Sequence, residues 1–201
     1  MEQLNKVTPV IVMLSTLLLA QTAIANTVKT HSFGAQLSGG SAQYKNSEQD
    51  GGGVAQLYLH YNYAFNEMFS LEVGLNGAQD ADDWDCSDKK EDKFTCSKNE
   101  KKLFGMDADK LEYSNLVIAA KGNYALSQRN SLYGKLGVQF YDYEISKSKS
   151  ILVEEDGVGL FLEAGWGYQW DNGLAVNVGI QSIDMGDLDT AGATIGMRYH
   201  F

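Results

Sequence analysis

The residues of this chain that could do chemistry fall into two groups. The first is a set of charges, Glu72, Lys121, Lys135, Glu163 and Arg198, each set among apolar residues that occupy alternate positions. Isolated charges on a buried face are costly to desolvate, whereas opposite charges in contact can be retained there. This set therefore reads as an ion network, with Glu72 expected to face Lys121 and Lys135 to face Glu163. The second group surrounds Cys86 and Cys96 in the stretch DADDWDCSDKKEDKFTCSKNEKK, which also carries Trp84 and Phe94. Zinc would need further Cys or His ligands, and none is near. Asp80, Asp82, Asp83 and Asp85 offer oxygen ligands for a divalent cation, but their spacing matches no defined motif. No cofactor-binding motif is present. Nucleophilic catalysis needs a serine or cysteine beside a base. His60 and His200 fall on the same face as the buried charges, and His31 opens the first periodic segment. No His-x-Ser pair lies on the opposite face, so the sequence does not read as an enzyme.

The elements that carry these residues repeat. Eight segments of alternating character run through residues 26–201, the pattern of strands with one apolar and one polar face. The apolar faces carry Phe33, Ala35 and Leu37; Ala55, Leu57, Leu59, Tyr61 and Tyr63; Phe69, Leu71, Val73 and Leu75; and Leu116, Ile118, Ala120 and Tyr124. Continuing along the chain they carry Leu132, Leu136, Val138 and Phe140; Val158, Leu160, Leu162, Ala164, Trp166 and Tyr168; Leu174, Val176, Val178 and Ile180; and Ala193, Ile195, Met197, Tyr199 and Phe201. The opposite faces hold Gln, Asn, His and the five charges, an inventory suited to a polar lumen and not to a soluble core. Proline interrupts sheet ladders, and the single proline is Pro9. Short connections at 66–68, 127–130 and 171–173 alternate with longer polar ones at 41–52, 78–112, 144–156 and 184–190. Aromatic residues gather at one end of the even-numbered segments, as an interfacial girdle requires. The fold class is all-β: an eight-stranded antiparallel transmembrane β-barrel with short periplasmic turns and longer extracellular loops.

Residues 1–25 begin with Met1 to Lys6, continue through an apolar run from Val10 to Ala20 and reach the small-x-small triplet Ala23-Ile24-Ala25, the layout of a secretory signal peptide. The expected division is 1–25 as a signal peptide and 26–201 as the barrel. Export places Cys86 and Cys96 where a disulfide can form, and closing so small a loop would stabilise it by roughly 2–3 kcal/mol on the chain-entropy model. The formal net charge of -10 argues against nucleic acid, whose phosphates need basic partners.

The segment Gly196-Met197-Arg198-Tyr199-His200-Phe201 has a glycine, two free positions, then aromatic, any residue, aromatic. With the eight segments, it makes the chain resemble the small outer-membrane barrels that include the OmpA transmembrane domain, OmpX and the Ail-type adhesion and serum-resistance proteins. The cysteine-bounded loop and overall pattern also resemble the accessory colonization factor A proteins of vibrios. The resemblance implies an outer-membrane location and a C-terminal assembly signal formed by Gly196, Tyr199 and Phe201. It further implies contact with lipid, lipopolysaccharide and the barrel-assembly machinery, and an interior plugged by the five charges. A barrel closed within one chain is expected to be monomeric. Three functional readings follow: a surface interaction or colonization factor whose loops contact host surface or matrix, a narrow passive channel, or a purely structural protein. Of the loops, 78–112 combines length, both signs of charge, Trp84 and Phe94, and two cysteines that would stiffen it, so it is the expected binding loop.

Overall fold

The computed structural model describes residues 29–44, 47, 53–81, 84–89, 93–98, 103–148 and 150–201, with 84–89 and 93–98 as backbone only. Ten strands are present among the described residues: β1 (His31–Tyr44), β2 (Gly53–Ala64), β3 (Phe69–Asp80), β4 (Trp84–Lys89), β5 (Lys93–Lys98), β6 (Lys110–Ala125), β7 (Asn130–Lys147), β8 (Ser150–Gln169), β9 (Leu174–Met185) and β10 (Leu188–His200). Eight of them close into a barrel in the order β1-β10-β9-β8-β7-β6-β3-β2, and β4 with β5 forms a separate hairpin. Every neighbouring pair in the wall is antiparallel. The proposed leader, residues 1–25, lies outside the described residues.

Closure removes the sheet edges that a membrane would leave unsatisfied. The seam is β1 on β10, with Phe33 opposite Tyr199, Ala35 opposite Met197 and Leu37 opposite Ile195. The seam continues through the last residue, since the Phe201 amide donates to the His31 carbonyl at 2.9 Å. The outward face of the wall is the apolar one anticipated from the alternation, and residues such as Leu37, Leu136, Ile180 and Ile195 stand about 60–70 % exposed because their neighbour is lipid. At the periplasmic end Tyr63 meets Phe65 edge-on at 5.4 Å, and Tyr168 meets Trp170 at 4.9 Å. The turns there are tight: Asn66 Oδ1 accepts from the amides of Met68 and Phe69, and Asn172 Oδ1 accepts from that of Leu174.

Two features depart from the sequence reading. The connections expected at 144–156 and 184–190 are strands almost throughout: β7 and β8 run 18 and 20 residues and join at Ser148 and the next residue, while β9 and β10 join at Gly186 and Asp187. A membrane crossing needs about 9–11 strand residues, so the β7–β8 hairpin stands well above the bilayer, while β9 and β10, at 12 and 13 residues, reach only slightly past it. The alternation there is polar on the outer face, which makes strand resemble loop. The second departure is the lumen. Its periplasmic half is polar, but its extracellular half is an apolar core of Val54, Tyr58, Leu111, Tyr113, Val117, Tyr143, Phe161, Ile183, Met185 and Leu188, packed with Leu103 and Phe104. Those last two residues belong to the long second connection, which folds back into the barrel mouth as a single 3-10 turn, Leu103–Gly105.

Candidate functional site

The interior is organised around Lys135 on β7. Its Nζ lies 2.8 Å from Glu72 Oε1 and 3.3 Å from Glu163 Oε2, and all three side chains are buried. Lys135 is directly opposite Glu163 in the β7–β8 register. Glu72, by contrast, is opposite Ala119 and not Lys121, and its ion partner is Lys135, reaching across from two strands away. The expected Glu72–Lys121 pair is therefore replaced. Lys121 instead places its ammonium over the Tyr133 ring, 4.7 Å from the centroid, a cation–π contact. Tyr58 donates to Glu72 Oε1 at 3.1 Å, Tyr133 to Glu163 Oε1 at 2.8 Å, and Gln36 to Glu163 Oε2 at 3.0 Å. Arg198, half-buried below this network, points into the same lumen. His60 Nε2 is 3.9 Å from Glu72, too far for a hydrogen bond.

Tyr58 and Tyr133 give no signal of their own in the sequence, because an aromatic residue beside lipid-facing Leu57, Leu59 and Leu132 reads as wall even though its inward-phase neighbours are Gln56, His60, Ser131 and Lys135. The signal that could have found them is glycine in the inward phase. A Cβ on Gly74 would come 2.4 Å from the Tyr58 ring, and one on Gly165 would come 2.6 Å from the Tyr133 hydroxyl. Large rings thus lie over bare backbone, which fills a narrow barrel without overpacking it.

Above the ion network, Phe104 is 2 % exposed and packs against Tyr44 at 5.7 Å between centroids. Its φ of 55° is in the left-handed region, a conformation costing an ordinary residue roughly 1–2 kcal/mol. Burial of the ring offsets that strain. The turn is fastened on several sides: Ser47 Oγ donates to the Phe104 carbonyl, Asp109 N to the Ser146 carbonyl at 3.0 Å, Ser148 N to Asp109, and Lys147 pairs with Asp107. The return limb of the second connection is thereby stitched to the tip of the β7–β8 hairpin. The outbound limb ends at β3, where Asp80 Oδ1 accepts from Leu111 N at 3.0 Å.

Between these limbs lies the β4–β5 hairpin, whose register sets Cys86 opposite Cys96, Trp84 opposite Lys98 and Asp88 opposite Phe94. The side chains of Cys86, Cys96, Trp84, Phe94 and Asp85 lie outside the described residues, as do Asp82 and Asp83. At the other end of the barrel, Gly196 faces inward against Asn177, while Tyr199 and Phe201 face the lipid.

The outer face of β6, β7 and β8 above the bilayer carries carboxylates in rungs. Glu112, Glu144 and Glu154 are successive neighbours across the strands, and Asp142 is opposite Asp156 one rung lower. Next below come Leu116, Phe140 and Val158, where the apolar wall begins. Lys110 binds Glu112 at 2.8 Å, and that hydrogen bond raises the lysine above its ordinary pKa. The other four carboxylates have no ion pair among the described residues.

A family model described as the outer membrane protein beta-barrel domain matches residues 11–201. The chain belongs to that family. No curated protein matches it in sequence. Outer-membrane barrels of known structure share its fold: Ail, the attachment invasion locus protein of Yersinia pestis, at 13% identity over 87% of this chain and 100% of Ail, with a TM-score of 0.56; Neisserial surface protein A at 12% over 87% and 98%, TM-score 0.59; and OprG of Pseudomonas aeruginosa at 13% over 86% and 97%, TM-score 0.51. This member of the outer membrane beta-barrel family is an integral barrel, and its distinctive groups lie at the extracellular end.

Proposed function

We propose that the protein is a surface interaction factor of the outer membrane, of the adhesion or colonization type, in which the barrel is a closed scaffold and the extracellular strands and second connection do the binding. The observation that carries this reading is the filled lumen. From the Glu72–Lys135–Glu163 network up to Phe104 the interior is occupied by packed side chains, which favours an external binding surface over a conducting path. One structural relative, Ail, is an attachment invasion locus protein, and it has also been crystallised in complex with the heparin analogue sucrose octasulfate. The narrower resemblance to accessory colonization factor A points the same way.

On this reading residues 1–25 direct export and are removed, and Gly196, Tyr199 and Phe201 are recognised by the assembly machinery. Cys86 and Cys96, already opposite in register, form a disulfide that stiffens the loop bearing Trp84 and Phe94. The folded monomer sits among lipid and lipopolysaccharide and presents this loop to a host surface or matrix. Preorganisation lowers the conformational entropy lost on binding. The test replaces residues 81–109 with a short turn and measures attachment to host cells or matrix at equal surface display. Attachment should fall to the background of cells lacking the protein, and Cys86→Ser with Cys96→Ser should lower it in part. Unchanged attachment in the loop replacement would remove the adhesion reading.

A further inference from the structure

The β8 strand begins at Ser150, but its pairing with β9 starts only at Phe161, opposite Ile183. On its other side β8 is paired with β7 from Ser150 onward. Near Gly159 the β9 backbone passes close by, with the Asp184 carbonyl against the glycine, and then turns into β10 at Gly186, which lies against the inward side chains of Tyr141 and Glu155 and adds no strand beside β8. From Ser150 to Val158, therefore, one edge of β8 has no strand beside it among the described residues. Exposure agrees: Ile151 and Leu152 are about half exposed, and the inward-phase residues Val153, Glu155 and Gly157 are only half-buried. Leu152 is the extra residue of a bulge, since Ile145 pairs with Val153 and Ser146 with Ile151. An edge of this length is a template for a further strand.

The charges beside the edge select its occupant. On the outer face Glu154 stands opposite Glu144, which stands opposite Glu112, and Asp156 stands opposite Asp142. Like charges directly opposite each other in a sheet are destabilising, and two rungs of them at the margin of the sheet are relieved by a cationic neighbour. A second copy of this chain adding at the same edge would bring its own Glu154 and Asp156 into the cluster, which disfavours self-pairing. A polyanion is disfavoured for the same reason. We propose that the β8 edge from Ser150 to Val158 binds an extended basic segment of a partner protein as an added strand, with Lys or Arg at alternate positions set beside Glu154 and Asp156. This rests on the surface-interaction reading and names the chemistry of the partner.

The experiment uses the full chain in lipid nanodiscs with two peptides of about ten residues, one with lysine and one with glutamate at alternate positions. Binding is read by fluorescence anisotropy and by amide hydrogen exchange. The lysine peptide should bind in preference to the glutamate peptide and slow exchange in residues 150–158. Glu154→Gln with Asp156→Asn should weaken binding roughly tenfold, two cross-strand charge contacts being lost. Equal binding of both peptides, binding without protection of 150–158, or the same protection from magnesium ions alone would overturn the proposal. Because peptide binding is read on the purified chain, preferential binding of the lysine peptide with protection of 150–158 would support this edge even where the loop replacement leaves attachment unchanged and the adhesion reading fails, so the two failures are separable.

Discussion

Among the described residues Lys135 is the cation ion-paired with both buried carboxylates, Glu72 and Glu163, and Lys135→Met isolates what it does. Methionine keeps the length of the stem and removes the charge. Glu163 would keep two donors, Tyr133 and Gln36, on separate oxygens. Glu72 would keep only the Tyr58 hydroxyl, with its other oxygen 3.9 Å from His60. The loss therefore falls mainly on Glu72, and removing one partner of such a buried pair costs about 3–5 kcal/mol. With a urea slope of about 2 kcal/mol per M for a chain this small, the unfolding midpoint should fall by roughly 2 M. Midpoints are read from the folded and unfolded bands on unheated gels and from the fluorescence of Trp166 and Trp170. Adding Glu72→Gln should restore a large part of the loss, because the stranded charge is gone. Lys121→Met is the control: Lys121 meets a ring and not a carboxylate, so its replacement should be near neutral or stabilising. A loss under about 1 kcal/mol for Lys135→Met, or equal losses for the two lysines, would refute the assignment of Lys135 as the hub.

Phe104→Ala removes the ring that seats the second connection and should cost about 3–5 kcal/mol, with faster amide exchange across 103–109 as the direct readout. Gly74→Ala puts a methyl 2.4 Å from the Tyr58 ring and should destabilise by about 1–3 kcal/mol, measured in the same urea titration. Phe201→Ala should lower the amount of assembled barrel in the membrane far more than Phe140→Ala. Both lose a half-exposed lipid-facing ring, but only Phe201 ends the proposed assembly signal; equal membrane levels would count against that role.

The wall was legible in the sequence because lipid selects one face of every strand. Phe33, Leu57, Leu75, Leu136 and Ile195 announce both the strand and its orientation by period alone, and the girdle aromatics fix which end is which. Legibility failed where that selection stops. Above the bilayer Glu144, Glu154 and Asp156 face water, so a strand there carries the composition of a loop, and its extent is set by hydrogen bonding to its partner strand. In the upper lumen Tyr58, Val117 and Phe161 sit between lipid-facing residues, which makes those segments apolar on both faces and hides which side is core. The ion network was half legible. The residues facing inward follow from alternation, but Glu72 chooses Lys135 over Lys121 because long side chains meet across the lumen, beyond the nearest strand, and pairing along the wall does not reveal that. Leu103 and Phe104 carried no periodic signal at all; their burial comes from a turn that tertiary contacts hold in place.

A closed lumen is what separates a scaffold from a pore, since an open one would make the outer strands mere rims. The direct measurement is single-channel recording of the purified full chain in planar bilayers. A closed scaffold predicts no steady conductance in the wild type, with openings appearing only when the plug is disturbed, as in Phe104→Ala or Lys135→Met. Large, stable wild-type channels, unchanged by either substitution, would contradict it.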